Sequence, residues 1–167
     1  MQKLIILRGN SASGKSTVAK ELREKMGYET MLIQQDMVRR EILRVQDLPH
    51  NPSMQLIYDL AMYGKNIGFD VIVEGIMHED KCGEMLRKLI DDFDGENHIY
   101  YFDISFEETL RRHDTKSKER SEYGETEMRS WWREKDYLGV PNEKLLSEHT
   151  TKGKIIESIL SALDQDI

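Results

Sequence analysis

Residues 9 to 17, GNSASGKST, are the stretch whose types and spacing speak most directly of chemistry. Gly9, Asn10, Ser11, Ala12, Ser13, Gly14, Lys15 and Ser16 fit G-x-x-x-x-G-K-[ST] without a gap, and Thr17 follows. A loop so small and polar has little to pack with, but it suits phosphate. Several backbone N–H groups must reach the oxygens together, and side chains on the inner wall would block them. A helix opens at the end of the loop, where unbonded amides and the helix dipole favour an anion. Lys15 then brings charge to the β- and γ-phosphates, and the Ser16 hydroxyl can hold Mg²⁺. Residues 9–17 therefore read as a site for ATP with Mg²⁺, with Lys15 also catalytic.

Other chemistries find less support. Cys82 is the only cysteine, which rules out an intrachain disulfide and suggests a reducing, cytoplasmic setting. The five histidines lie apart, without paired metal-ligand spacing. No N-K-x-D follows to read a guanine, and Asp136–Gly139, DYLG, matches D-x-x-G only far from the loop. A formal charge of −7 argues against bulk nucleic-acid binding. No apolar run approaches the roughly 20 residues of a membrane helix, and the four-residue run before Arg8 is too short for a signal peptide.

The elements that would position the loop alternate, as in an α/β domain with a parallel sheet. One domain over 1–167 is expected. Lys3 to Arg8 reads as a strand buried on both faces, and Ser16 to Met26 as a helix stopped by Gly27. Glu29 to Ile33 reads as a strand, and residues 36–45 as a helix with Asp36 as its N-cap. After a loop marked by Pro49 and Pro52 come a helix over 53–67, a strand over Asp70 to Gly75 and a helix over 81–93. His98 to Ile104 is a further strand. Ser105 opens the next helix, with Glu108 completing a capping box. Residues 114–124 are polar and aperiodic, 125–139 read as helix, 144–148 as a weak strand and 152–166 as a final helix. Trp131 and Trp132 read as packing.

LIILRGNSASGKST, LIQQDMVRREIL, VIVEG and YYFDISFEETLRRH together resemble the P-loop kinases of the AAA_33, zeta-toxin-like group. That group includes chloramphenicol phosphotransferase and the 5′-kinase domain of phage polynucleotide kinase. The resemblance spans roughly residues 3 to 140 and implies a three-layer α/β/α fold with a five-stranded parallel sheet in order 2-3-1-4-5 and a small lid near 114–124. Ligands in such sheets bind beyond the carboxyl ends of the strands. It implies transfer of the γ-phosphate of ATP to a hydroxyl of a small metabolite, nucleoside or nucleotide-sugar. A polynucleotide 5′-hydroxyl kinase and a nucleotide-binding regulatory or toxin module are the alternatives. Asp36 is then the catalytic base and contacts the substrate, and Arg112 and Lys116 clamp the transferring phosphate. Arg39 and Arg40, on the turn after Asp36, suit an acceptor bearing phosphate or carboxylate. Glu74, at a strand end, suits Mg²⁺ or the substrate. Oligomeric state stays open.

Overall fold

The computed structural model describes residues 1–115 and 123–164. The chain runs Lys3–Gly9 (β1), Lys15–Met26 (α1), Thr30–Gln34 (β2), a π-helical turn at Met37–Ile42, Ser53–Asn66 (α2) and Asp70–Gly75 (β3). It continues through Glu79–Phe93 (α3), Glu96–Asp103 (β4), Phe106–Asp114 (α4), Glu125–Trp131 (α5), Glu143–Ser147 (β5) and Lys152–Asp164 (α6). All strand pairs are parallel, in the order β2-β3-β1-β4-β5, as the resemblance implied. Among the described residues no helix is long and apolar enough to cross a membrane.

β1 is the central strand, and both of its faces are covered. That explains its unbroken apolar run where a half-exposed strand would alternate. Leu4 and Ile6 point into a core shared with Ile57 and Ala61 of α2 and Leu86 and Leu89 of α3. Ile5 and Leu7 point the other way, against Val18 and Leu22 of α1 and Ile156 and Ile159 of α6. Each such side chain contributes about 1.5–3 kcal/mol by leaving water. Packing on both faces fixes the carboxyl ends of β1, β2 and β3 relative to one another, and the site stands on those ends.

Three local expectations are corrected. The 36–45 segment forms a π-helical turn, with the Leu43 amide donating to Val38 O at 3.0 Å. Asp36 adopts helical angles, φ −61° and ψ −40°, and its side chain caps nothing. The Ser105 capping box is half made. Ser105 Oγ accepts from the Glu108 amide, but the Glu108 carboxylate turns to Arg111 and Arg112. The Ser105 amide donates to Glu148 Oε2 instead, at 2.9 Å.

The helix expected over 125–139 stops at Trp131, and Trp132 is already extended with ψ 133°. One cause lies in β1. Arg8 is wholly buried, and an unpaired buried cation costs several kcal/mol. Its guanidinium donates to Met77 O at 3.1 and 2.9 Å, to Asp136 Oδ2 at 3.1 Å and to Glu143 Oε1 at 3.5 Å. Asp136 also accepts from the Glu79 amide at 2.9 Å. Serving Arg8 pulls the chain after Trp131 out of helix. The DYLG aspartate is thus a structural partner.

Candidate active site

The phosphate loop sits between β1 and α1. Gly14 turns the chain at φ 95°, and a Cβ on Gly9 would stand 2.9 Å from Phe102 Cβ and 3.0 Å from Ser13 Oγ, so neither position takes a side chain cheaply. Lys15, only 6% exposed, reaches across the loop and donates from Nζ to Asn10 O at 3.1 Å. Ser13 Oγ is buried without a hydrogen-bond partner. Such an orphan costs about 1–3 kcal/mol, and an anion's oxygen in the loop would relieve it. The cradle therefore fits a phosphate.

Register carries a carboxylate to the same place. Leu7 pairs with Glu74, which sets the Glu74 side chain beside the start of α1. Ser16 Oγ donates to Glu74 Oε1 at 2.9 Å, and Gln34 Nε2 to Glu74 Oε2 at 3.0 Å. Glu74 is 4% exposed. A hydroxyl and a carboxylate are hard oxygen donors of the kind Mg²⁺ takes alongside phosphate and water. No cluster of three metal-ligating side chains occurs among the described residues, so a cation here relies on those further oxygens.

On the far side of the loop, Arg112 Nη1 donates to Ser13 O at 2.8 Å. Its Nε is held by Glu108 Oε1 at 2.9 Å, while Arg111 grips the same carboxylate twice at 2.7 Å. Hydrogen bonds from Arg111 and then Arg112 lower the Glu108 pKa to about 2. A cavity of about 330 Å³ opens here between α4, Gly14 and the turn before α6. Lys116 and most of the expected lid at 114–124 lie outside the described residues.

A larger cleft, about 490 Å³, opens on the near side, with Ser11 of the loop on one wall and Asp36 on another. The Asp36 side chain is 72% exposed. Arg39 and Arg40 both line the cleft, so neither arginine is turned away. Arg39 Nη2 stands 3.8 Å from Asp36 Oδ1, and its Nη1 donates to Val45 O at 3.3 Å.

Sequence reasoning did not foresee much of this cleft. His78, Lys81 and Cys82 enter from the start of α3, and Tyr123, Trp131 and Arg133 from around α5. Trp131, expected as packing, is 42% exposed and meets Tyr123 edge to face at 5.0 Å. Trp132 packs outside the cleft, against Phe106 at 5.3 Å. Burial pushes the Cys82 thiol up to about 12 and lowers the His78 pKa, so both groups are neutral near pH 7. His78 and Lys81 lie just beyond the carboxyl end of β3, and that position was the available signal. Arg133 had none, because its place depends on the loop. Asn10 Nδ2 donates to Arg133 O at 2.7 Å, and Arg133 N donates to Asn10 Oδ1 at 3.0 Å.

The sequence profile of AAA_33, described as an AAA domain, matches residues 4–141. No curated protein sequence matches the chain. Among solved structures, the Mycobacterium tuberculosis APS kinase CysC in complex with AMPPNP and APS is similar, with TM-score 0.71, 18% identity and 98% of each chain covered. A gluconokinase from Sinorhizobium meliloti gives TM-score 0.69 at 16% identity over 98% of this chain and 92% of its own. The Pnkp1/Rnl/Hen1 RNA repair complex gives 0.62 at 17% identity, over 77% of this chain and 42% of that one. At these identities the likeness is one of fold.

Proposed function

The chain belongs to the AAA_33 family of AAA domains, and on that premise we propose that it is a phosphotransferase moving the γ-phosphate of ATP to a hydroxyl of a small metabolite, nucleoside or nucleotide-sugar. One observation carries the reading. The phosphate loop, through Ser11, and the carboxylate of Asp36 line the same cleft. A hydroxyl bound there lies between a proton acceptor and a nucleotide's terminal phosphate.

In this reading the loop amides from Ser11 to Ser16 hold the β- and γ-phosphates, and Lys15 exchanges its bond to Asn10 O for their oxygens. Ser16 and Glu74 would hold Mg²⁺, which when bound neutralises charge on the phosphates. Asp36 orients the acceptor hydroxyl and takes its proton as the oxygen attacks the γ-phosphorus. The bond to the β-bridging oxygen breaks and ADP leaves. Arg112, steered by Glu108, stabilises charge on the transferring group, with Lys116 as a second cation. Phosphoryl transfer asks a protein chiefly for such positioning and electrostatics.

Incubation with ATP, Mg²⁺ and a metabolite panel, read by mass spectrometry for products 80 Da heavier, tests the reading, using about 80 Da as the mass of an added phosphoryl group. A phosphorylated product that disappears with Asp36→Asn is expected. Slow ATP hydrolysis with no accepted hydroxyl would favour a regulatory or toxin module. A second acceptor reading, a polynucleotide 5′-hydroxyl, gains from the several cations around the cleft and is opposed by the charge of −7. Labelling of a 5′-hydroxyl oligonucleotide at low salt, with no small molecule labelled, would select it.

A further inference from the structure

We infer that the acceptor is a small molecule presenting both a flat ring and an anionic group, which the cleft grips through Trp131 and Tyr123 on one side and Arg133 on the other. That the bound molecule is the phosphate acceptor rests on the phosphotransferase reading; the binding chemistry does not.

The aromatic half follows from exposure. An indole left 42% open to water on the wall of a cleft has surface still to bury, and it is held edge to face against Tyr123. Tyr123 is itself fixed, by Ser11 through a 2.7 Å hydroxyl contact and by stacking on His113 at 5.1 Å. A fixed aromatic pair of this kind offers a face to a ring.

The anionic half follows from where the charges are spent. Among the described residues, Arg39, Arg40, Lys81 and Arg133 line the cleft, with carboxylates from Asp36, Asp47 and Glu127. Glu127 is committed to the Gly124 amide at 2.9 Å, a bond that lowers its pKa. Asp47 pairs with Lys81 at 3.0 Å. Arg133 pairs at 3.1 Å with Asp80, which lies outside the lining, and both partners are about half exposed. Exposed pairs of this sort are weak, so a phosphate or carboxylate within the cleft can take over the guanidinium. The main chain of Arg133 is meanwhile pinned at two points by Asn10, so the arginine stands at a fixed distance from the phosphate loop. The cleft volume of about 490 Å³ suits one ring with one anionic substituent.

Calorimetric titration of the full chain saturated with Mg²⁺ and AMPPNP, which blocks the phosphate loop, tests this without turnover. The probes are phenyl phosphate, phenol and inorganic phosphate. Phenyl phosphate is expected to bind about tenfold or more tighter than either fragment, a stacking plus charge-assisted contribution. Arg133→Ala should bring it down to the level of phenol, and Trp131→Ala to that of inorganic phosphate, each with circular dichroism like wild type. Equal affinity for the three probes, or wild-type binding of phenyl phosphate by both folded variants, overturns the inference. If phenyl phosphate binds as expected and no hydroxyl in the metabolite panel is phosphorylated, the phosphotransferase reading falls and this one stands. If transfer occurs to an uncharged acceptor with kcat/KM unchanged in Arg133→Ala, this one falls and the phosphotransferase reading stands.

Discussion

The phosphate loop and the cleft beside it share Ser11, yet they are built in different ways. The loop is one contiguous run of nine residues that offers main-chain amides, a single lysine and a hydroxyl. The cleft is assembled from side chains of the turn after β2, the start of α3 and the stretch around α5, up to nearly a hundred positions apart. Recognition by backbone requires glycine at set spacings and a helix just behind, so it writes itself into the sequence as a pattern. Recognition by converging side chains requires only that distant segments arrive together, and packing decides that. On the proposed phosphotransferase reading, the loop tolerates little change, whereas the cleft is free to vary with the acceptor.

The largest effect is expected where the loop spends its one charge. Lys15→Ala should reduce kcat/KM for phosphoryl transfer by about 10³-fold or more, because a cation on the transferring phosphate has few substitutes. Activity within tenfold of wild type, in a sample with native circular dichroism, would break the comparison by showing that the loop's side chains are dispensable. Asp36→Asn comes next, on the cleft side. General base catalysis is worth about 10²–10⁴, and the loss should fall on kcat while the KM for ATP holds. A loss confined to the acceptor KM would make Asp36 a binding group.

Legibility followed the same division. The loop could be placed from a motif of fixed spacing and Glu74 from a strand end, whereas the sheet order and Arg112 at the loop's edge came from the family resemblance. Asp36 and the pair Arg39 and Arg40 were located but not oriented, since a π-helical turn rather than a capped α-helix sets their direction. Trp131 and Arg133 were lost, as both were read inside one long helix. That helix ends where Asn10 holds the Arg133 backbone and the buried Arg8 holds the Asp136 carboxylate. Periodicity reports the local preference, and two long-range polar demands overrode it. A sharper reading was available in one place, because an arginine in a strand buried on both faces must find its counter-charge somewhere downstream.

Glu74→Gln probes the boundary between the two regions. The carboxylate accepts from Ser16 and Gln34, and neutralising it should raise the Mg²⁺ concentration for half-maximal activity about 10- to 100-fold with little effect on fold. An unchanged Mg²⁺ requirement would assign Glu74 to packing of the loop alone. Asn10→Ala asks whether a loop side chain serves the cleft. It leaves the Arg133 amide and carbonyl without their partners, at a cost of about 1–3 kcal/mol. Thermal denaturation should show a lower Tm while ADP affinity is nearly intact. A parallel loss of ADP affinity would mean that the two regions are one.

The smallest effect tests a further place where the phosphate side relies on paired side chains. Glu108 steers Arg112 toward Ser13, and its carboxyl is held near pKa 2, below the ordinary 4.5, by Arg111 and Arg112. A folded-state pKa below the unfolded one means that the pair stabilises the fold above about pH 4.5. The contribution is then lost as pH falls from there toward 2. Arg111 is open to solvent and Glu108 and Arg112 are partly exposed, so salt and water weaken the contribution. Glu108→Gln should therefore lower Tm slightly at neutral pH, leave it nearly unchanged near pH 2, and so flatten the dependence of Tm on pH between 4.5 and 2. It should also loosen Arg112, which keeps its contact with Ser13 O but loses the carboxylate behind it, so kcat falls while ADP affinity holds. If the acid limb of the stability curve is unchanged and kcat is untouched, Arg112 is oriented by the loop carbonyl alone, and the backbone governs even this margin of the phosphate site.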